Sequence, residues 1–160
     1  MNNACSTFAP CGIEVSARTL LVALGAEGRA ASLREFPNTP PGHQALLRFL
    51  ERSGLRVRVA MESTGLYGLD LALGLHQASL ALMVANPRAV RHFAHALMQR
   101  SKTDRLDAEV LRQFAARMPF VAWRPPSAAT LQLVAVARRL AEQGRVARRA
   151  DGSFPPRAWR

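Results

Sequence analysis

Four carboxylates occupy positions suited to phosphate chemistry: Glu14, Glu62, Asp104 and Asp107. Glu14 lies in Gly12-Ile13-Glu14-Val15-Ser16, an apolar stretch that reads as a strand. Glu62 follows the alternating run Arg56-Val57-Arg58-Val59-Ala60-Met61 and precedes Ser63-Thr64-Gly65. Asp104 and Asp107 are three apart, the spacing that puts two side chains on one face of a helix. Acids on strands and helix faces are costly unless solvated, paired or bound to a cation. Hydrolysis of a phosphodiester at neutral pH needs an activated oxygen nucleophile and a stabilised leaving oxygen. Two divalent ions about 3.5–4 Å apart can supply both. Magnesium takes hard oxygen donors, so carboxylates converging from separate parts of the chain are the expected ligands. Singly, each acid has a plainer explanation. Asp104 and Asp107 would sit in a first helical turn, where the helix dipole favours negative charge, and an acid at a strand end is often just hydrated. Glu14 is harder to dismiss, because Ile13 and Val15 should face the core and leave it on the opposite face.

The rest of the chain is cationic. It carries 22 Lys+Arg against 11 Asp+Glu, a net charge of +11 and a pI near 11.6. That is the electrostatic footprint of a nucleic-acid binder. All but one of the basic residues are arginine, which suits bidentate phosphate contact; a GC-rich coding sequence would give the same bias. The candidates for backbone contact are Arg18, Arg88, Arg91, Arg100, Lys102 and Arg105. For the three flanking the aspartates, simple charge balance is the competing explanation. His92 and His95 lack the further ligands that zinc needs. Tyr67 and Trp123 are expected in the core rather than on bases. Cys5 and Cys11 have no disulfide or metal-ligand pattern and are expected to be reduced. No signal peptide is evident, and no apolar run nears the ~18 residues of a membrane span. A cytoplasmic, nucleoid-associated protein is expected.

These residues must be positioned by an α/β domain. Three strands are expected first, at Cys11–Val15, Leu20–Leu24 and Ala30–Phe36, with short antiparallel connections. Thr39-Pro40 starts a helix that Gly54 ends. A fourth strand covers Arg56–Met61. A second helix covers Leu66–Gln77 with Leu66, Leu69 and Leu73 aligned, and a fifth strand covers Leu80–Ala85. Asn86-Pro87 opens a helix with Val90, Phe93, Ala94 and Leu97 on its apolar side. Thr103 caps another, whose core face is Leu106, Val110, Leu111 and Phe114 and which stops at Met118-Pro119. Ser127 caps a last helix through about Gln143. The expected organisation is a flexible N-terminus over 1–10, the sheet domain over 11–120, a linker and the start of a helical extension over 121–143, and a disordered basic tail over 144–160. Residues 138–160 hold seven Arg, one Glu and one Asp.

Several blocks together resemble the IS110-type, or DEDD, transposases. They are Gly12-Ile13-Glu14-Val15-Ser16, Arg34-Glu35-Phe36-Pro37-Asn38-Thr39, Met61-Glu62-Ser63-Thr64-Gly65-Leu66-Tyr67, Asn86-Pro87 and Lys102-Thr103-Asp104-Arg105-Leu106-Asp107-Ala108. The resemblance runs over roughly residues 11–140. It implies an RNase H-like (RuvC-like) mixed five-stranded sheet flanked by helices, related to the Piv invertases and Holliday-junction resolvases. It implies an acidic tetrad of Glu14, Glu62, Asp104 and Asp107, acting as catalytic residues and as ligands of Mg2+ or Mn2+. It further implies cleavage and strand transfer of DNA in insertion-sequence transposition, with an element-encoded guide RNA and a homo-oligomer as partners. Two departures stand out. Glu14 replaces the family's aspartate, and Ala17 replaces its lysine. The family also continues through a coiled coil into a domain with a nucleophilic serine, so the chain is expected to be truncated. The alternatives are an inactive nucleic-acid-binding remnant and a resolvase-like nuclease.

Overall fold

The computed structural model describes the backbone of residues 8–26, 29–62, 67–97 and 103–150; the side chains of Asp104, Glu142 and residues 145–150 lie outside that description. Five strands form one sheet: β1 (Ala9–Val15), β2 (Thr19–Leu24), β3 (Ser32–Pro37), β4 (Val57–Glu62) and β5 (Ala81–Ala85). Their order is β3-β2-β1-β4-β5. As the short connections require, β1–β2 and β2–β3 are antiparallel, whereas β1–β4 and β4–β5 are parallel. The expected mixed five-stranded α/β sheet is therefore the one observed.

The helices start where local chemistry allows. In α1 (Pro40–Arg52) the Thr39 hydroxyl accepts from the Gly42 amide, and proline fills the first turn. Gly54, at φ +65°, takes the left-handed turn after it. In α3 (Pro87–Ala96) the Asn86 side chain accepts from the Arg88 amide at 2.8 Å. In α4 (Asp104–Arg117) Thr103 accepts from the Leu106 amide. Between α1 and α3 lies α2 (Leu69–Gln77).

Two apolar layers cover the sheet. Ile13, Val15, Leu20, Val22, Val59 and Met61 meet Leu46 and Leu50 of α1 and Leu71 and Leu75 of α2. On the opposite face Ala60, Met83 and Ala85 meet Val90 of α3 and Val110, Leu111, Phe114 and Ala115 of α4. Glu14 lies on the face opposite Ile13 and Val15, as its neighbours imply, and that face is the one that α4 crosses. The reason is Gly12. A Cβ there would stand 2.1 Å from the Ala108 carbonyl oxygen and 2.3 Å from the Arg112 nitrogen. Only a residue without a side chain lets helix backbone lie directly on strand backbone.

Four expectations need correction. First, β1 begins at Ala9, inside the segment read as a flexible N-terminus. The Ala9 amide donates to the Arg56 carbonyl at 2.7 Å, and the Phe8 ring meets the Arg56 and Arg58 guanidiniums at 4.9 Å each. Secondly, the buried side of α2 is Leu71, Ala72 and Leu75, not the Leu69–Leu73 stripe; Leu66 lies outside the described residues. Leucine at every second position leaves two faces equally apolar. Gly68 chooses between them, since a Cβ on it would lie 2.7 Å from the Met61 methyl. Thirdly, residues 121–125 are not free linker. The Trp123 amide donates to the Leu82 carbonyl at 2.8 Å, and its ring meets His76 edge-on at 5.9 Å. Fourthly, Tyr67 is 58% exposed rather than in the core.

Residues 126–160 form a separate unit. Its helix α5 (Ala128–Ala150) starts after Ser127 and runs past the expected stop at Gln143. One helical glycine, Gly144, costs only about 1 kcal/mol relative to alanine, and no proline follows before Pro155. The tail from 151 onward lies outside the described residues. Leu133, Val136 and Leu140 on this helix are exposed. No helix among the described residues is long and apolar enough to cross a membrane.

Two glycines test the close approach. Gly12→Ala should lower unfolding free energy by about 1–3 kcal/mol, the range for overpacking. Gly74→Ala, in α2 with nothing within 4 Å of the added methyl, should raise it by about 0.5–1 kcal/mol. Urea denaturation of both variants measures the contrast, and equal behaviour of the two would refute the packing account.

Candidate active site

Side chains alternate across a strand, so Gly12 and Glu14 share a face, as do Ala60 and Glu62. The parallel register pairs Gly12 with Ala60 and Ile13 with Met61. Carried one residue on, it sets Glu14 beside Glu62, on neighbouring strands about 4.8 Å apart. Both are half-buried. They lie at the carboxyl ends of β1 and β4, on the face that carries α4.

The aspartates come from the opening turn of α4. Asp104 is its first residue, and the Asp107 amide donates to the Thr103 carbonyl at 2.9 Å. Asp107 directly precedes Ala108, the residue whose carbonyl lies over Gly12. Asp104 is one turn before Ala108 in the chain of α4. The start of α4 therefore sits at the strand ends that carry the two glutamates. Asp107 is half-buried; the Asp104 side chain lies outside the described residues. Among the described residues, no group of three His, Cys, Asp or Glu is placed to hold a metal ion. The donor chemistry of the four acids, all carboxylate oxygens, matches a hard divalent cation.

Of the basic candidates, Arg18, Arg88, Arg91 and Arg105 are exposed. Arg88 and Arg91 belong to the helix that follows β5, whose last residue, Ala85, pairs with Glu62. Arg105 neighbours Asp104. Arg100 and Lys102 lie outside the described residues, as do Ser63–Leu66.

A hydrogen-bonded junction that the sequence reading did not single out braces the same end of the sheet. The Asn38 side-chain amide donates to the Ser16 carbonyl at 2.7 Å and to the Tyr67 carbonyl at 3.1 Å. Its amide oxygen meets the His43 ring nitrogen at 2.7 Å. Asn38 thus ties the turn after Glu14 and the segment after Glu62 to the start of α1. Burial lowers the His43 pKa, with Asp70 acting weakly the other way.

A second interaction was also missed. Arg112 on α4 is buried. It donates to both Glu109 oxygens, at 2.8 and 2.6 Å, and to the Gly25 and Ala26 carbonyls at 3.1 Å each. This clamps α4 to the loop after β2. Its only sequence signal was an acid and a base three apart, which usually marks a solvated helix face. Burial acts to raise the Glu109 pKa, but hydrogen bonds from Arg112 and Gln113 and the charges of Arg112 and Arg117 outweigh it, so the carboxyl titrates below its usual range.

The model of the IS110 DEDD transposase family, described as a transposase, matches residues 11–150. Among solved structures, the chain is similar to RuvC of Thermus thermophilus, with 18% identity and a TM-score of 0.42 over 74% of this chain and 85% of that one. No curated protein matches it in sequence.

The Arg112 clamp makes two predictions. Arg112→Met removes the charged donor to both Glu109 oxygens and the donor to two loop carbonyls, leaving Glu109 only the Gln113 hydrogen bond, and should cost about 2–3 kcal/mol in urea denaturation, discounted for the partial exposure of Glu109. Because the folded-state pKa of Glu109 is depressed, its contribution is complete above the ordinary value of 4.5 and disappears as pH falls through the folded value. Glu109→Gln should therefore be destabilising near neutral pH, with the gap to wild type closing as pH falls from 4.5 through the lower folded-state value. A constant gap across an acid titration of the melting temperature would contradict this.

Proposed function

This chain belongs to the IS110-type DEDD transposase family, and from that premise we propose that its sheet domain carries out divalent-metal-dependent cleavage and joining of DNA strands. The observation that carries this reading is the juxtaposition of Glu14 and Glu62 on adjacent strands beneath the first turn of α4, which holds Asp104 and Asp107. The RNase H-like (RuvC-like) description of the fold goes with the same reading and with the strand order β3-β2-β1-β4-β5.

In this proposal all four carboxylates hold Mg2+ or Mn2+. When bound, the metal would supply nucleophile activation and charge stabilisation at the scissile phosphate. The chain's own residues do the rest. Gly12 and Ala108 fix the depth at which α4 crosses the strands, and so the reach of the aspartates. The Asn38 junction fixes the two segments that leave the glutamates. Thr103 caps α4, leaving its amino-terminal dipole directed at the anionic side of the site. Arg88, Arg91 and Arg105, with Lys102 and Arg100, would hold the DNA backbone, while Arg18 contacts it from the turn after β1. A guide RNA and a homo-oligomer belong to the proposal as partners of the family's activity.

One observation favours a second reading, a nucleic-acid-binding remnant without catalysis. Glu14 carries one more methylene than aspartate, and two-metal chemistry tolerates little displacement of its ligands. Exchange of this one side chain separates the readings.

Mg2+ or Mn2+ should raise the melting temperature of the intact chain. At saturating metal a gain of about 2–3 kcal/mol follows if the ion is present at ~100 times its Kd. Asp104→Asn or Asp107→Asn should remove most of it. Glu14→Asp should increase nicking of supercoiled DNA in Mn2+. Equal melting temperatures with and without metal, in wild type and in Glu14→Asp, would sink the catalytic reading.

A further inference from the structure

The sheet has a second basic surface, on the face opposite the acids. A cavity of about 520 Å3 opens between β3 and α1, lined by Arg34, Phe36, Ala45, Arg48, Phe49 and Arg52, with Ser53 at its end. Arg34 pairs across the sheet with Val22, which pairs with Ile13. Arg34 therefore shares the Ile13 face, whereas Glu14 lies on the α4 face. Arg48 and Arg52 are four apart on α1 and project on one side. All three arginines are exposed, and among the described residues none has a carboxylate in ion-pair contact. Glu35, the acid between Arg34 and Phe36, falls on the other face by strand alternation. Glu51, beside Arg52 on α1, forms no ion pair among the described residues.

Uncompensated guanidiniums gathered around a concave surface attract an anion. The aromatic floor says more. The Arg34 guanidinium lies over the Phe49 ring at 5.4 Å from its centroid, and Phe36 and Phe49 are 5.7 Å apart. A cationic groove combined with aromatic faces is the design of sites for unpaired nucleotides, where base stacking adds to phosphate attraction. Duplex backbone alone would make no use of the rings.

We propose that the Arg34–Arg48–Arg52 cavity is a single-strand nucleic-acid site, seating an unpaired base against the Arg34–Phe49 surface and its phosphate on Arg48 and Arg52. The site shares with the proposed function only the premise that the chain handles nucleic acid; it needs none of the four acids. DNA and RNA single strands present the same base-and-phosphate chemistry, and the test distinguishes them.

The experiment titrates the full chain into fluorescein-labelled single strands of about 12 nucleotides, within the ~4–16 nucleotides of known single-strand sites. The probes are DNA, RNA of the same sequence and an abasic strand, each at several salt concentrations. For wild type, the DNA or the RNA should bind more tightly than the abasic strand, and the tighter of the two identifies the natural ligand. Arg48→Gln/Arg52→Gln keeps exposed helix formers in α1, so its melting temperature should be unchanged. Its affinity should fall about tenfold, and its slope of log K against log salt should shrink by about 0.7–1.4, one to two phosphate contacts. The proposal is overturned if the double variant binds DNA and RNA with wild-type affinity and slope. It is equally overturned if wild type binds the abasic strand as tightly as the others.

Discussion

The contact of α4 with β1 is the constraint on which the molecule depends. Helix backbone lies on strand backbone because residue 12 is glycine. At that depth Ala108, Leu111 and Ala115 are completely or almost completely buried, and Val110 and Phe114 close the second apolar layer with α3. The same geometry brings the first turn of α4 to the strand ends where Glu14 and Glu62 stand. It also carries Arg112 to the two loop carbonyls after β2. One absent side chain thus governs a core and a clamp, and sets how closely α4 lies on the strands that end in the two glutamates.

Charge is divided between the two faces of the sheet. Glu14 and Glu62 lie on the α4 face, at the ends of β1 and β4. The Arg34 cluster lies on the α1 face, across two antiparallel strands from β1. Between them the rim is held by neutral hydrogen bonds: Asn38 bridges the Ser16 and Tyr67 carbonyls while His43 engages its amide oxygen. This bracket joins the turn after Glu14 and the segment after Glu62 to the start of α1 without adding a charged pair.

Elements defined by local chemistry were legible in the sequence. Thr39, Asn86 and Thr103 cap their helices as their side chains dictate, and the short turns after Val15 and Leu24 join antiparallel strands. Glu14 and Glu62 stood out because each sits in a strand-like, apolar run. What stayed hidden was set by partners distant in sequence. The α2 face could not be read from Leu69, Leu71, Leu73 and Leu75, since the choice is made by Gly68 against Met61. Arg112 and Glu109 resemble a solvated pair until the loop carbonyls of Gly25 and Ala26 are beside them. Arg34, Arg48 and Arg52 were lost among many arginines, because nothing local says that a strand and a helix will bring them together. Phe8 looked like part of a loose end, yet it lies against Arg58, whose guanidinium is also 4.8 Å from the Phe120 ring. Such a cation–π sandwich compensates a buried Nε that has no hydrogen-bond partner.

The middle of β1 also holds Cys11, fully enclosed next to Gly12. Burial drives its thiol pKa up to about 12. Sulfur in that state resists alkylation and oxidation at physiological pH, because the reactive thiolate is almost absent. Reagent can reach it only when the central strand leaves its neighbours. The protein therefore contains an internal clock: the pace at which Cys11 is modified follows the frequency with which the whole sheet comes apart.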